Sequence, residues 1–377
     1  MECRAYAEHL KDRYQIDVLT TCALDYVDWK NYYPKEETEV NGVHVIRFPN
    51  DRTRDQGRFG EVTVQAYAPG HDDAIEEKWI DEQGPFCPKA VAYLKEHAQE
   101  YHAVLFMTYL YYLTARGLVP EMKNAILIPT AHDEPPIHLR YFKKIFDAPQ
   151  GIIYNTSEEK EFVEEKFPST VEKPSCTVGY GIEVPDAETL PDVKAKYHLD
   201  DYIVYAGRID ESKGCGYMFS YFMKYKEHHP SGLKLVLCGK AAMPVPEHPD
   251  IIPLGFVSEE DKYGLMKDAQ VLVLASHFES LSIVVLEAMM MGTPVLVNGA
   301  CAVLKGHCFK SNAGLFFTNY TMFERALTWL LTHPAEYAQM QKNGKAYVTA
   351  NYQWPHVAEE ISNLIEKVAQ KAEEANV

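Results

Sequence analysis

Two stretches of the chain place charged side chains beside glycines in a pattern suited to anion chemistry. Gly207-Arg208-Ile-Asp-Glu-Ser-Lys213-Gly214 follows an apolar run, Tyr202 to Ala206, and precedes a helix-prone segment that begins near Cys215. Glycine at each end of such a turn lets backbone approach a ligand, and an Arg with a Lys can grip a diphosphate there. Taken alone, the same pair also reads as two solvated cations in a surface loop. The second stretch is Phe278-Glu279-Ser280-Leu281-Ser282-Ile283-Val-Val-Leu-Glu287-Ala-Met-Met-Met-Gly292-Thr-Pro294. It predicts a helix that opens around Ser280 to Ser282 and is stopped by Gly292 and Pro294. Glu287 is the only charge in that helix, among Val284, Val285, Leu286, Met290 and Met291. A buried carboxylate needs a partner, which sugar hydroxyls or a lysine or arginine can supply. Glu279 stands at the mouth of the helix, where free amides receive phosphate or sugar oxygens and where an acid can also serve as a cap.

These residues must be carried by elements of definite type. Short Val/Ile/Leu-rich runs alternate with helix-prone segments, the pattern of β-α-β units and parallel sheets. Strands are predicted at Ile16 to Thr20, Val43 to Phe48, Ala103 to Met107, Ala125 to Pro129 and Ile152 to Asn155. A second series is predicted at Tyr202 to Ala206, Leu233 to Cys238, Gln270 to Ala275 and Pro294 to Asn298. The fold class expected is therefore α/β, with two doubly wound Rossmann-like domains. A Gly- and Pro-marked segment, Gly179 to Pro191, reads as a hinge. The expected domains are 1–184 and 185–353, with a C-terminal helix at 354–377 returning to the first. The cleft between them is expected to hold the ligand and to close on it.

The start of the chain departs from this plan. The first strand of a doubly wound sheet is normally central. Here a helix, Cys3 to Tyr14, comes first, followed by what should be the second strand. Either another segment fills the gap, or the N-terminus is shortened relative to the natural protein.

Composition narrows the function. The 377 residues are 46% hydrophobic and 24% charged, enough apolar material for two cores. A formal net charge of −17 repels phosphate backbones and argues against a nucleic-acid partner. The eight cysteines form no C-x-x-C pair, which reads as a reducing compartment. The first ten residues lack a signal-peptide core, and no apolar run reaches the length of a membrane span. A cytoplasmic protein is expected, at most resting on the inner membrane surface. His138-Leu-Arg140-Tyr-Phe-Lys143-Lys144-Ile-Phe146 mixes basic and aromatic residues in a way that suits weak peripheral contact with anionic lipid, or equally an ordinary surface helix.

The combination of Gly207-Arg208 and Lys213-Gly214 with Glu279 and Glu287 resembles the retaining GT-B glycosyltransferases of family four, over nearly the whole chain. The resemblance implies that Arg208 and Lys213 bind the donor diphosphate, that Glu287 holds the nucleotide ribose, and that Glu279 lies near the transferred sugar. It also implies that Leu281, Ser282 and Ile283 offer backbone amides, although the family usually has glycine where this chain has Ser282. Pro129-Thr-Ala-His132-Asp133-Glu134-Pro135 resembles the family's loop whose histidine faces the donor sugar, and Leu254-Gly255-Phe256-Val257 resembles its base-binding loop. The donor is then a nucleotide diphosphate sugar, used as substrate with no further cofactor. The acceptor is a glycan or lipid-linked glycan of the kind used in cell-surface polysaccharide or glycoconjugate synthesis.

No D-x-D triplet offers the carboxylates on which GT-A enzymes hold a metal, so none is expected to be needed. Retaining transfer on one face of the sugar, with the departing phosphate taking the acceptor's proton, is the route the resemblance implies. A dehydrogenase fits less well, because Gly179-Tyr-Gly181 and Gly214-Cys-Gly216 lack the third glycine of a dinucleotide fingerprint. A non-catalytic nucleotide-sugar-binding protein or partner subunit of the same fold is the other reading, supported by the missing first strand.

Overall fold

The computed structural model describes residues 2–374. The chain forms two units, the first running to Tyr180 and resuming at Pro355, the second spanning Gly181–Trp354. The division thus falls at Tyr180/Gly181 rather than at the expected 184/185. The returning helix is Trp354–Glu374; residues 375–377 of the expected helix lie outside the described residues. Its first residue, Trp354, packs against Gly181. A Cβ on Gly181 would stand 2.4 Å from the Trp354 ring, so only glycine lets the indole lie against this backbone.

In the second unit, strands β8 (Tyr202–Ala206), β9 (Lys234–Cys238), β10 (Ile251–Gly255), β11 (Val271–Leu274), β12 (Val295–Asn298) and β13 (Gly314–Phe317) form one six-stranded sheet. Its order is β10-β9-β8-β11-β12-β13, and all pairs are parallel. β8, β11 and β12 are buried at every residue. Helices on both faces explain this, and they explain why these strands read in sequence as unbroken apolar runs.

The first unit is divided. Strands β1 (Asp17–Thr21), β2 (Glu37–Val40) and β3 (Val43–Phe48) form a sheet of order β1-β3-β2, in which β1 and β3 are parallel and β2 is antiparallel. Strands β4 (Val104–Met107), β5 (Ala125–Ile128), β6 (Gly151–Tyr154) and β7 (Ser175–Thr177) form a second, fully parallel sheet. Among the described residues no strand joins β1 to β4. The leading helix is Glu2–Leu10, shorter than expected; it buries Tyr6, Ala7 and Leu10, and the Tyr6 hydroxyl donates to the Gly179 carbonyl (2.6 Å). Tyr101 donates to Asp17 Oδ2 (2.6 Å), tying the approach to β4 to the first residue of β1.

The basic and aromatic segment after residue 138 is an ordinary surface helix with one apolar face, its Arg140, Lys143 and Lys144 exposed. Leu139, Tyr141, Phe142, Ile145 and Phe146 are buried. Arg140 pairs with Asp73 and Glu76, Lys143 with Asp147, and Lys144 with Glu77. Its apolar residues are therefore spent on packing, and its cations pair with carboxylates. No helix among the described residues is long and apolar enough to cross a membrane.

Candidate functional site: a glycine-lined anion cradle on the second sheet

Three loops converge at the carboxyl ends of β8, β9 and β11, and their glycines let them touch. A Cβ on Gly239, after β9, would lie 1.9 Å from the Gly207 carbonyl oxygen; one on Gly214 would lie 2.2 Å from that of Ala275, after β11. Gly214 also sits at φ 70, so both space and backbone conformation demand glycine there. Asp210 caps the 3-10 turn Glu211–Lys213 by accepting from the Lys213 amide (3.1 Å) and the Ser212 hydroxyl (2.6 Å). It also pairs with Arg208. Burial raises the pKa of Asp210, but these donors outweigh it and hold the carboxylate below its usual range.

Lys213 and Glu279 meet: Nζ donates to Oε1 at 2.8 Å, with both side chains partly buried. The residues predicted from two distant motifs are thus one ion pair. Glu279 does not cap the helix. That helix is Ile283–Met291, and its N-cap is Ser282, in the left-handed region at φ 66, ψ 69 with no side-chain cap bond. Leu281, Ser282 and Ile283 form the helix mouth, where the first amides have no intrahelical acceptor. His307, fully buried, donates from Nε2 to the Leu281 carbonyl (2.7 Å) and accepts at Nδ1 from the Tyr347 hydroxyl (3.0 Å), which fixes this backbone from behind.

Glu287 lies on the same helix, 9% exposed. Its Oε1 accepts from Tyr263 (2.7 Å) and Lys262 (3.0 Å), so a lysine does pair with it. Burial works to lower the Lys262 pKa, but Glu287 and Glu259 outweigh it and hold the ammonium above its usual value. Both donors fall on one oxygen of the carboxylate. Phe256 follows β10 and the left-handed Gly255 (φ 71), and is 87% exposed beside the half-buried Val257.

His132 belongs to the first unit, in the loop after β5. Its Nε2 stands 3.5 Å from Glu134 Oε2, while Asp133 turns instead to His138 (2.7 Å). Tyr109 donates to Glu134 Oε1 (2.7 Å). Sequence reasoning missed what holds this loop. Glu159, buried, accepts from the Ala131 amide (2.5 Å) at Oε1 and from the Asn155 amide (2.6 Å) at Oε2. The Thr156-x-x-Glu159 spacing at the start of the helix Ser157–Lys166 is a capping-box signal that marks this residue in the sequence. His307, Lys262 and Tyr263 carry no comparable signal.

Residues 186–347 match the family described as glycosyl transferases group 1. This stretch of the chain is similar to group 1 glycosyl transferases. An uncharacterized glycosyltransferase of Methanocaldococcus jannaschii is 28% identical over 175 residues, 43% of this chain and 44% of that protein. The putative glycosyltransferase YtcC of Bacillus subtilis is 25% identical over 198 residues, 46% of this chain and 48% of that protein. The matches therefore span less than half the length of these curated relatives. Among solved structures, sucrose-phosphate synthase from Thermosynechococcus elongatus superposes with a TM-score of 0.68 at 17% identity, covering 97% of this chain and 92% of that one. Anabaena HepE, in complex with UDP and glucose, gives 0.64 at 13% identity, covering 87% of each chain. The chain has the GT-B fold of these proteins, with an α/β unit on either side of Tyr180/Gly181. The group 1 match falls wholly within the second unit, where the glycine-lined cradle is built.

Proposed function

We propose that the protein transfers a hexose-type sugar from a nucleotide diphosphate donor to a glycan or lipid-linked acceptor, with retention of configuration and without a required metal. The observation that carries this reading is the meeting of Lys213 with Glu279, which joins the Gly207–Gly214 loop to the segment that leads into the helix Ile283–Met291. Cations and free amides receive a diphosphate, and the adjoining carboxylate receives sugar hydroxyls.

In this reading Arg208 and Lys213 stabilise the charge that grows on the diphosphate as the bond from anomeric carbon to phosphate oxygen breaks. The acceptor oxygen bonds to that carbon on the same face, and its proton passes to the departing phosphate. Glu279 takes sugar hydroxyls. Glu287, held by Lys262 and Tyr263, takes the ribose, while Gly207, Leu281, Ser282 and Ile283 bring backbone to the phosphates. Phe256 and Val257 border the base, and His132 serves the sugar. HepE bound to UDP and glucose is consistent with such a donor.

A melting-temperature panel of UDP-, GDP- and ADP-sugars tests the reading, because the preferred donor stabilises by mass action. One donor class is expected to raise Tm and then to be consumed with an acceptor library, giving a product whose anomeric coupling matches the donor's. A panel without a shift, or a shift without turnover, removes the transferase reading.

A further inference from the structure

Ser282 combines two locally unfavourable features. Its backbone is left-handed, at φ 66, a conformation serine rarely adopts. Its side chain is buried, 6% exposed, and its Oγ has no hydrogen-bond partner. An N-cap serine ordinarily accepts from the second or third amide of its helix, but here no such bond forms. The strain is imposed by the surroundings, with His307 holding the preceding carbonyl and the buried Leu281 anchoring the loop. Glycine would relieve the backbone, and alanine would remove the unsatisfied hydroxyl. A position that keeps both liabilities at the mouth of an anion-binding helix has a use for the hydroxyl.

We propose that the Ser282 hydroxyl is a ligand for the donor's diphosphate, donating a hydrogen bond to a phosphoryl oxygen beside the free amides of the helix Ile283–Met291. This rests on the proposed donor site and adds a specific side-chain contact to it. The hydroxyl bonds to nothing in the free protein, where its Oγ is closed off from solvent, and it turns to gain its partner when the nucleotide arrives. The neighbouring Lys213 and Arg208 already hold carboxylates in the free protein and exchange partners on binding. The Ser276 hydroxyl, fully buried just after β11, is likewise without a partner, so two orphan hydroxyls lie on the one segment between β11 and this helix.

The test uses Ser282→Ala, Ser282→Gly and Arg208→Ala in the full chain, with binding of UDP, GDP and ADP measured by calorimetry and Tm measured without ligand. Both Ser282 variants are expected to keep or raise the ligand-free Tm and to bind the preferred nucleotide about tenfold or more weakly, as for a lost hydrogen bond to a charged group. Alanine keeps the strain and glycine releases it, so equal losses assign the effect to the hydroxyl. A loss confined to glycine, or a fall in ligand-free Tm for both, overturns the proposal in favour of a structural role. If Arg208→Ala weakens binding while both Ser282 variants bind as wild type, the hydroxyl contact alone is wrong. If Arg208→Ala also binds as wild type, the donor site itself is misassigned.

Discussion

In the second unit β8 has a hydrogen-bonded neighbour on each side and is buried at all five residues; in the first, β1 and β4 each have one neighbour and are mostly half-buried. The Gly207–Gly214 loop leaves the well-clamped strand directly, and the glycines of the cradle bring its flanking loops into contact. In the first unit the interruption lies beside β4, one strand away from His132. β5, which delivers His132, is paired with β4 and β6 and buried at every residue. Phe256 and Val257 follow the edge strand β10, but the loops that carry Gly207 to Lys213, Glu279 and His132 each leave a strand with two partners, and the discontinuity is confined to a flank that carries none of the candidates. A sheet tolerates a local break when the strands that aim side chains remain paired on both sides.

The comparison is broken most severely if the His132 loop is loose after all, and Glu159 decides that. Removing its carboxylate in Glu159→Ala leaves the buried amides of Ala131 and Asn155 without acceptors, a loss of about 2–5 kcal/mol. Burial pushes the Glu159 pKa up to about 8, against the opposing pull of its amide donors. A folded value raised above the usual 4.5 means that its contribution to stability is whole at low pH. It declines as pH rises through about 8, where the buried group must ionise. Denaturant melts from pH 5 to 9 should show first-unit stability falling with pH in the wild type, with a shallower slope in Glu159→Gln. Equal slopes in the two proteins would mean that this carboxylate titrates normally and is not the loop's anchor.

On the second unit the sharper distinction is kinetic. In the proposed reading Arg208→Ala and Lys213→Ala remove contacts that strengthen as the diphosphate leaves, so kcat should fall about 10²- to 10³-fold. In the same reading Glu287→Ala removes ribose bonds that are equal before and during transfer. It should raise donor KM by the equivalent of about 1.5–3 kcal/mol with less change in kcat. Lys262 loses its buried partner in that variant, so its melting temperature must be measured alongside. Arg208 and Lys213 variants that lose only nucleotide affinity at full turnover would reassign the cradle from leaving-group stabilisation to binding alone.

What the sequence made legible follows the same physical line. Every strand with two neighbours was readable as an apolar run, because burial on both faces demands one. The four strands left unread, β2, β7, β10 and β13, are all sheet edges, where half-exposed residues such as those of Glu37–Val40 break the run. In the site, Gly207, Arg208, Lys213, Glu279 and Glu287 were legible because glycines and isolated charges beside apolar runs are locally improbable. The partnership of Lys213 with Glu279, and of Lys262 with Glu287, was not, since each joins segments whose approach only the fold determines. Ser282 was visible as a departure from glycine. Its left-handed backbone and orphan hydroxyl belong to the three-dimensional structure alone.

The contrast between the sheets is itself open to measurement through matched truncations. Leu19 lies in β1 and is half-buried; Leu272 lies in β11, fully buried between two paired strands. Leu272→Ala therefore removes a whole side chain's burial and leaves a cavity that paired neighbours cannot collapse into, costing about 2–5 kcal/mol. Leu19→Ala forfeits only the covered part of its surface and leaves no closed void, so about 1 kcal/mol is expected. Two units need not unfold together, so a single melting temperature would blur the comparison. Hydrogen exchange read by peptide reports each sheet by itself, with protection in β11 and β8 falling in the first variant and protection in β1 barely changing in the second. If Leu19→Ala costs as much as Leu272→Ala, then β1 is packed in solution as tightly as a central strand, and something covers the flank between β1 and β4.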